Sequence, residues 1–161
     1  MNLGAAKAKG DILLFLHADT ILPKNGLEEI QKISEKIEYV GGGFYQKFDK
    51  PNKLLNLISL KSNVRAKYRK LIFSDQAIFI KKKTFNQIGG FKHVSLMEDV
   101  ELSKAIKRLG KVAIIETPVI TSARKFRKLG VLHTWFLMGL MRTLYFLKVD
   151  TKILSKLYNK R

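Results

Sequence analysis

Gly10-Asp11-Ile12-Leu13-Leu14-Phe15-Leu16-His17-Ala18-Asp19-Thr20 sets an unbroken apolar run, residues 12–16, directly against a polar tip. So short a run between Asp11 and His17 suits a strand buried on both faces of a parallel sheet. Such a strand delivers the residues after it to the carboxyl edge of the sheet, where open α/β folds bind their ligands. Here those residues include His17 and Asp19. A carboxylate in that place can hold a magnesium or manganese ion against a phosphate, since these hard cations take oxygen ligands and leave part of their shell to the substrate. An Asp after a strand also serves as a turn or cap residue, and Asp11 is read that way.

Working outward, residues 2–9 read as the end of a helix stopped by Gly10. Pro23 precedes a helix over 25–37, with Leu27, Ile30, Ile33 and Ile37 at near-helical spacing. Gly41-Gly42-Gly43 leads into an aromatic strand at 44–48, and residues 53–70 form a helix with Leu54, Leu57, Ile58 and Leu60 inward. A second apolar strand at 76–80 is followed by a helix at 82–88, halted by Gly89-Gly90. Residues 98–109 make a stronger helix with Val100, Ala105, Ile106 and Leu109 near one face and Gly110 as its stop. Strands at 112–115 and 119–121 flank Pro118, and one long helix runs from about residue 128. This alternation predicts an α/β domain with a mixed sheet, a single domain over 1–161 whose residues 128–161 are a helical extension.

The 161 residues, 46% hydrophobic and 27% charged, suffice for a real core. The absence of cysteine excludes disulfides and thiolate metal sites. Net charge is +18 and uneven: residues 121–161 hold ten Lys or Arg against Asp150 alone, and residues 61–83 hold eight against Asp75 alone. Fields of that sign attract phosphate as nucleotide, nucleic acid or anionic lipid, a solvated lysine-rich surface being the alternative. Nucleic acid is the least favoured, because the aromatics fall in apolar strand and helix patterns and no recognition motif is present. Residues 1–10 do not form a secretory leader, and nowhere do 18 apolar residues run together. The nearest approach, 131–147, is interrupted by His133, Thr134, Arg142 and Thr143. Flanked by basic residues at 124–128 and 148–161, it suits a core helix or an interfacial helix on anionic lipid. The chain is accordingly expected in the cytoplasm, free or peripheral on the inner face of the membrane.

Three further constellations carry chemistry. Glu98-Asp99 at a helix start either complements the helix dipole or supplies a general base for an acceptor hydroxyl, and Glu101 lies further round toward solvent. Ser74-Asp75-Gln76 offers donors and acceptors suited to a polyhydroxyl substrate, or a turn. Arg124 and Arg127 can clamp a diphosphate through forked, charge-assisted hydrogen bonds, or form a solvated basic loop. His93 and His133 are isolated in sequence, so no zinc spacing exists.

Taken in order, MNLGAA, GDILLFLHADTILP, SDQAIFIKKKTFNQIGGF, LMEDVELSKAIKRLG and TSARKFRKLG resemble the family 2 glycosyltransferases of the GT-A fold, a three-layer α/β sandwich with a mixed sheet. HADT and LMEDVELS are most similar to the bacterial subgroup of radical-SAM/selenodomain-associated transferases. The resemblance implies metal-dependent, inverting transfer of a sugar from a nucleotide-sugar donor to an acceptor hydroxyl. It assigns Asp19 to the last acid of the metal-binding DXD motif, with His17 departing from the usual acid at its first position. It assigns Asp99 to the base, with Glu98 as its neighbour, Asp75 and Gln76 to the acceptor side, and Arg124 and Arg127 to diphosphate or acceptor. It also implies an N-terminal truncation, since family members begin with a strand, helix and strand that hold the nucleotide base. An active enzyme and an inactive remnant both remain open on that reading. The acceptor is unknown, a lipid-linked one being natural if the 131–147 helix lies on lipid.

Overall fold

The structure, a computed structural model, describes residues 1–159, so Lys160 and Arg161 of the predicted extension lie outside the described residues. Five strands, β1 (Ile12–Phe15), β2 (Thr20–Ile21), β3 (Tyr39–Phe48), β4 (Ile78–Lys81) and β5 (Lys111–Thr121), form one mixed sheet in the order β1-β4-β3-β5-β2. Among the described residues only β3 and β5 pair in parallel; the other neighbours run antiparallel. Side chains alternate between two cores, as the period of two in a strand requires. Leu13, Ile78, Ile80 and Val112 point to the side of helices α1 (Asn2–Lys7), α4 (Lys82–Gln87) and α5 (Glu98–Ile106). Phe44, Phe79, Ala113 and Ile115 point to the side of α2 (Gly26–Ser34), where Ile30 is buried. Helix, sheet and helix layers make this a GT-A-like α/β architecture.

The glycines of β3 have a packing cause. A Cβ on Gly42 would lie 2.4 Å from the Ala113 carbonyl oxygen and 2.6 Å from the Phe79 ring. Only a bare backbone lets the central strand sit between its neighbours at that distance.

Several expectations are corrected. β1 is an antiparallel edge strand, fully burying Leu13 only, because β4 folds back beside it and its other edge is unpaired among the described residues. On α2, Leu27 and the following Ile37 face solvent, so Ile30 and Ile33 carry the contact. The two strands expected around Pro118 are one, β5, which absorbs the proline at a register shift opposite Phe44 and Tyr45. α5 ends at Ile106, leaving Leu109 exposed. The single final helix is three: α6 (Arg124–Leu129), α7 (Val131–Phe146) and α8 (Thr151–Asn159), broken where Gly130 and Lys148 take positive φ.

The largest correction concerns α3 (Lys53–Arg69). Its inward residues are Leu55, Ser59, Ser62 and Ala66, while Leu54, Leu57 and Leu60 are turned outward. Small side chains allow close approach to β3, and Asn63 secures it by accepting from the Gln46 amide at 2.9 Å and donating to its carbonyl at 3.1 Å. A polar clamp and small residues thus outweigh the leucine stripe in choosing the face.

Candidate active site

The turn before β4 is held from beneath by a buried polar network. Gln76 is fully buried; its Oε1 accepts from the Phe73 amide at 3.2 Å and from Arg65 at 2.8 Å, and its Nε2 donates to the Phe44 carbonyl at 3.1 Å. Arg65 also donates to Ser62 Oγ at 2.9 Å and to the Leu71 carbonyl at 3.1 Å, with its guanidinium stacked 3.6 Å over the Phe73 ring. Burial lowers the Arg65 pKa to about 10. The α3 face set by Asn63 is what brings this arginine inward.

On that platform three acidic or imidazole groups converge. Asp99 Oδ2 accepts from the amide and hydroxyl of Ser74 at 2.9 and 3.0 Å, and its Oδ1 accepts from the Val100 amide at 2.7 Å. Asp75 keeps Oδ1 out of solvent with no hydrogen-bond partner, and burial raises its pKa, opposed by Arg65 and His17 and reinforced by Asp99. Asp75 therefore feels the charges of Arg65, Asp99 and His17, and Arg65 those of Asp75, Asp99 and Arg142, although these groups come from separate segments. Glu98 is half-buried beside Asp99 at the start of α5.

His17 and Asp19 are exposed on the connection from β1 to β2. The Asp19 carbonyl accepts from the Ser122 amide at 3.1 Å, and Thr20 meets Thr121 hydroxyl to hydroxyl at 3.3 Å. This seam lays Asp19 alongside a basic depression lined by Asp49, Lys50, Ser122, Arg124, Arg127 and Lys128. Asp49 ties its rim together by accepting from the Ala123 amide at 2.8 Å, a bond that holds its carboxyl below the ordinary value. Arg124 and Arg127 thus share one opening. Lys50 and Asp49 line this depression with no signal in the sequence, where only the charge run at 124–128, which includes Lys128, points to it.

The described residues contain no group of three or more His, Cys, Asp or Glu side chains that could hold a metal by themselves. A magnesium or manganese site completed by substrate phosphates needs only one or two carboxylates, and the Asp19 carboxylate makes no hydrogen bond or ion pair among the described residues. The donor chemistry fits an ion shared with a diphosphate.

Glu101, expected in solvent, instead joins α5 to α7. It accepts from Lys92 at 2.5 Å, from Lys104 at 3.2 Å and from the Tyr145 hydroxyl. Hydrogen bonds from Lys92 and Tyr145 depress its pKa from 4.5 to about 2. A depressed carboxylate pKa gives stability that is present above the unfolded value and lost as pH falls toward the folded one. Glu101→Gln is expected to flatten the acid limb of unfolding between about pH 4.5 and pH 2, measured by circular dichroism. An unchanged limb would show that the network does not hold the helices together.

The α/β sheet thus brings the β1–β2 connection, with Asp19, to the rim of a basic depression. Residues 1–96 match the family model described as glycosyl transferase family 2, and the chain belongs to that family. No curated protein matches it significantly. Asp19, Asp75 and Gln76 lie within the matched residues; Glu98, Asp99, Arg124 and Arg127 lie beyond them. Membership gives the class of chemistry, glycosyl transfer from a nucleotide-sugar donor to an acceptor.

Proposed function

We propose that the chain transfers a sugar with inversion, binding the donor diphosphate between Asp19 with a divalent cation, manganese or magnesium, and the basic depression of Arg124 and Arg127. The observation that carries this reading is the backbone seam from Asp19 to Ser122, which joins the β1–β2 connection to the rim of the arginine-lined depression. The cation, when bound, neutralises charge on the diphosphate as it leaves. His17 stands beside Asp19 in place of the usual first acid. Asp99, oriented by Ser74 and Val100, takes the proton of the acceptor hydroxyl as its oxygen attacks the anomeric carbon. The glycosidic electron pair departs with the diphosphate, and the anomeric configuration inverts. Glu98 flanks the base, Asp75 faces the acceptor, and Gln76 positions the turn that carries Asp75. We place the chain in the radical-SAM/selenodomain-associated subgroup on the wording HADT and LMEDVELS, and read residues 1–161 as one domain. A lipid-linked acceptor at the inner membrane face accords with this, since α7 and α8 pack on Leu96 and Met97, directly before Glu98.

Thermal unfolding with manganese and a panel of nucleoside diphosphates tests the donor site. One nucleotide is expected to raise Tm by roughly 5–10 °C at a hundredfold excess over Kd, and Asp19→Ala to abolish the shift. A cooperative transition that no nucleotide moves would overturn the assignment.

A further inference from the structure

Helices α3 and α7 meet where Lys61 lies 4.8 Å over the Trp135 ring. Ile58 and Val131, one from each helix, pack on the same small core around Phe48 and Phe126. Beyond this junction both helices turn apolar side chains outward. On α7, Leu132 and Phe136 are 62% and 70% exposed, and on α3 Leu57 and Leu60 are 46% and 59% exposed. Apolar exposure on two helices that meet is the kind that marks an interaction face. No described helix is long and apolar enough to cross a membrane.

The charges say what covers it. Neither α3 nor α7 contains an acidic residue, while α3 supplies exposed Lys53, Lys61 and Arg69. The basic residues of α6 and α8 flank α7 in sequence, with Asp150 the single acid from residue 121 onward. A second copy of the chain would oppose this excess with its own, which costs association. An anionic lipid surface complements it, each Lys or Arg near the surface adding attraction. Trp135, at the joint of cation and apolar face, is the residue type that settles at a lipid–water boundary.

We propose that the outward faces of α3 and α7 dock the protein on an anionic bilayer. The face is tied to the site through the Tyr145–Glu101 bond, two residues from Asp99. That places the acceptor on a membrane carrier, a consequence that rests on the glycosyl-transfer reading, whereas the docking does not.

Trp135 is the only tryptophan, so its emission reports docking without a label. The full chain is titrated with vesicles of phosphatidylcholine alone and of phosphatidylcholine with about one third phosphatidylglycerol. A blue shift is expected with the anionic vesicles only, reversed by salt. Phe136→Asp and Leu57→Asp, both at exposed positions, are expected each to weaken vesicle binding about tenfold, with Tm confirming that they fold. No shift with either vesicle overturns the proposal, as does salt-sensitive binding that both variants retain in full. A lipid-free dimer that Phe136→Asp dissociates would overturn it in favour of a second copy. The nucleotide-induced Tm shift, measured without vesicles, is unaffected by failure of docking, so the two readings fail separately.

Discussion

Asp99→Asn is expected to slow sugar transfer by about 10²–10⁴-fold while leaving the nucleotide-induced rise in Tm intact. The amide keeps the shape of the side chain and can still accept from Ser74, so the turn and α5 stay together with a stability cost of about 1 kcal/mol. What it loses is the capacity to take a proton. The proposed donor site lies on a different set of segments, the β1–β2 connection and the 122–128 stretch, and Asp99 makes no hydrogen bond to either. The check is steady-state transfer with the donor whose nucleotide raises Tm. Retention of more than about a few per cent of the wild-type rate would remove Asp99 from the role of base, and simultaneous loss of the nucleotide shift would mean that it shapes the donor site instead.

Gln76→Leu is expected to cost about 3–5 kcal/mol, a large share of a domain's total stability. Its size arises from the groups left behind: Arg65 loses an acceptor, the Phe73 amide loses its partner, and the Phe44 carbonyl in the central strand loses a donor. The bond to the Phe44 carbonyl is buried and the other two are part-buried, so water replaces them only at a cost. Urea unfolding would show the loss as a lowered midpoint at unchanged slope. A loss below about 1 kcal/mol would show that the network relaxes around the substitution and does not fix the Ser74–Gln76 turn.

Labour at the site is divided between two layers. Gln76 and Arg65 form a floor beneath the turn, and Asp75 and Asp99 project from it. Asp75 bears the cost of that arrangement, as a buried carboxylate oxygen without a partner beside a second carboxylate. Such a group is destabilising for the fold and available to a ligand.

How much of this stood in the sequence depends on the range of the interaction. Apolar runs at β1 and β4, the glycine stops after α4 and α5, and the order of the acidic and basic motifs are local properties. They place Asp19 after a strand and Glu98-Asp99 at a helix start, where the structure has them. Beyond local pattern lies the choice of which helix face turns inward. The leucines of α3 outnumber its small residues on a simple reading of the stripe, yet Ser59, Ser62, Ala66 and the Asn63–Gln46 clamp decide its orientation, turning Arg65 inward and Leu57 and Leu60 out. Glu101 reads locally as solvent-facing because its partner Tyr145 lies 44 residues away.

By itself the sequence determined the α/β class, the family and the identities of the acids and bases from which a site could be built, because strand and helix periodicity and motif order are written residue by residue. Tertiary structure alone decided that β1 is an antiparallel edge, that Asp19 meets the 122–128 segment, that Gln76 and Arg65 form the buried floor, and that α3 and α7 share an outward apolar face. Those outcomes depend on close packing and hydrogen bonds between segments far apart in the chain, for which no local pattern is a proxy.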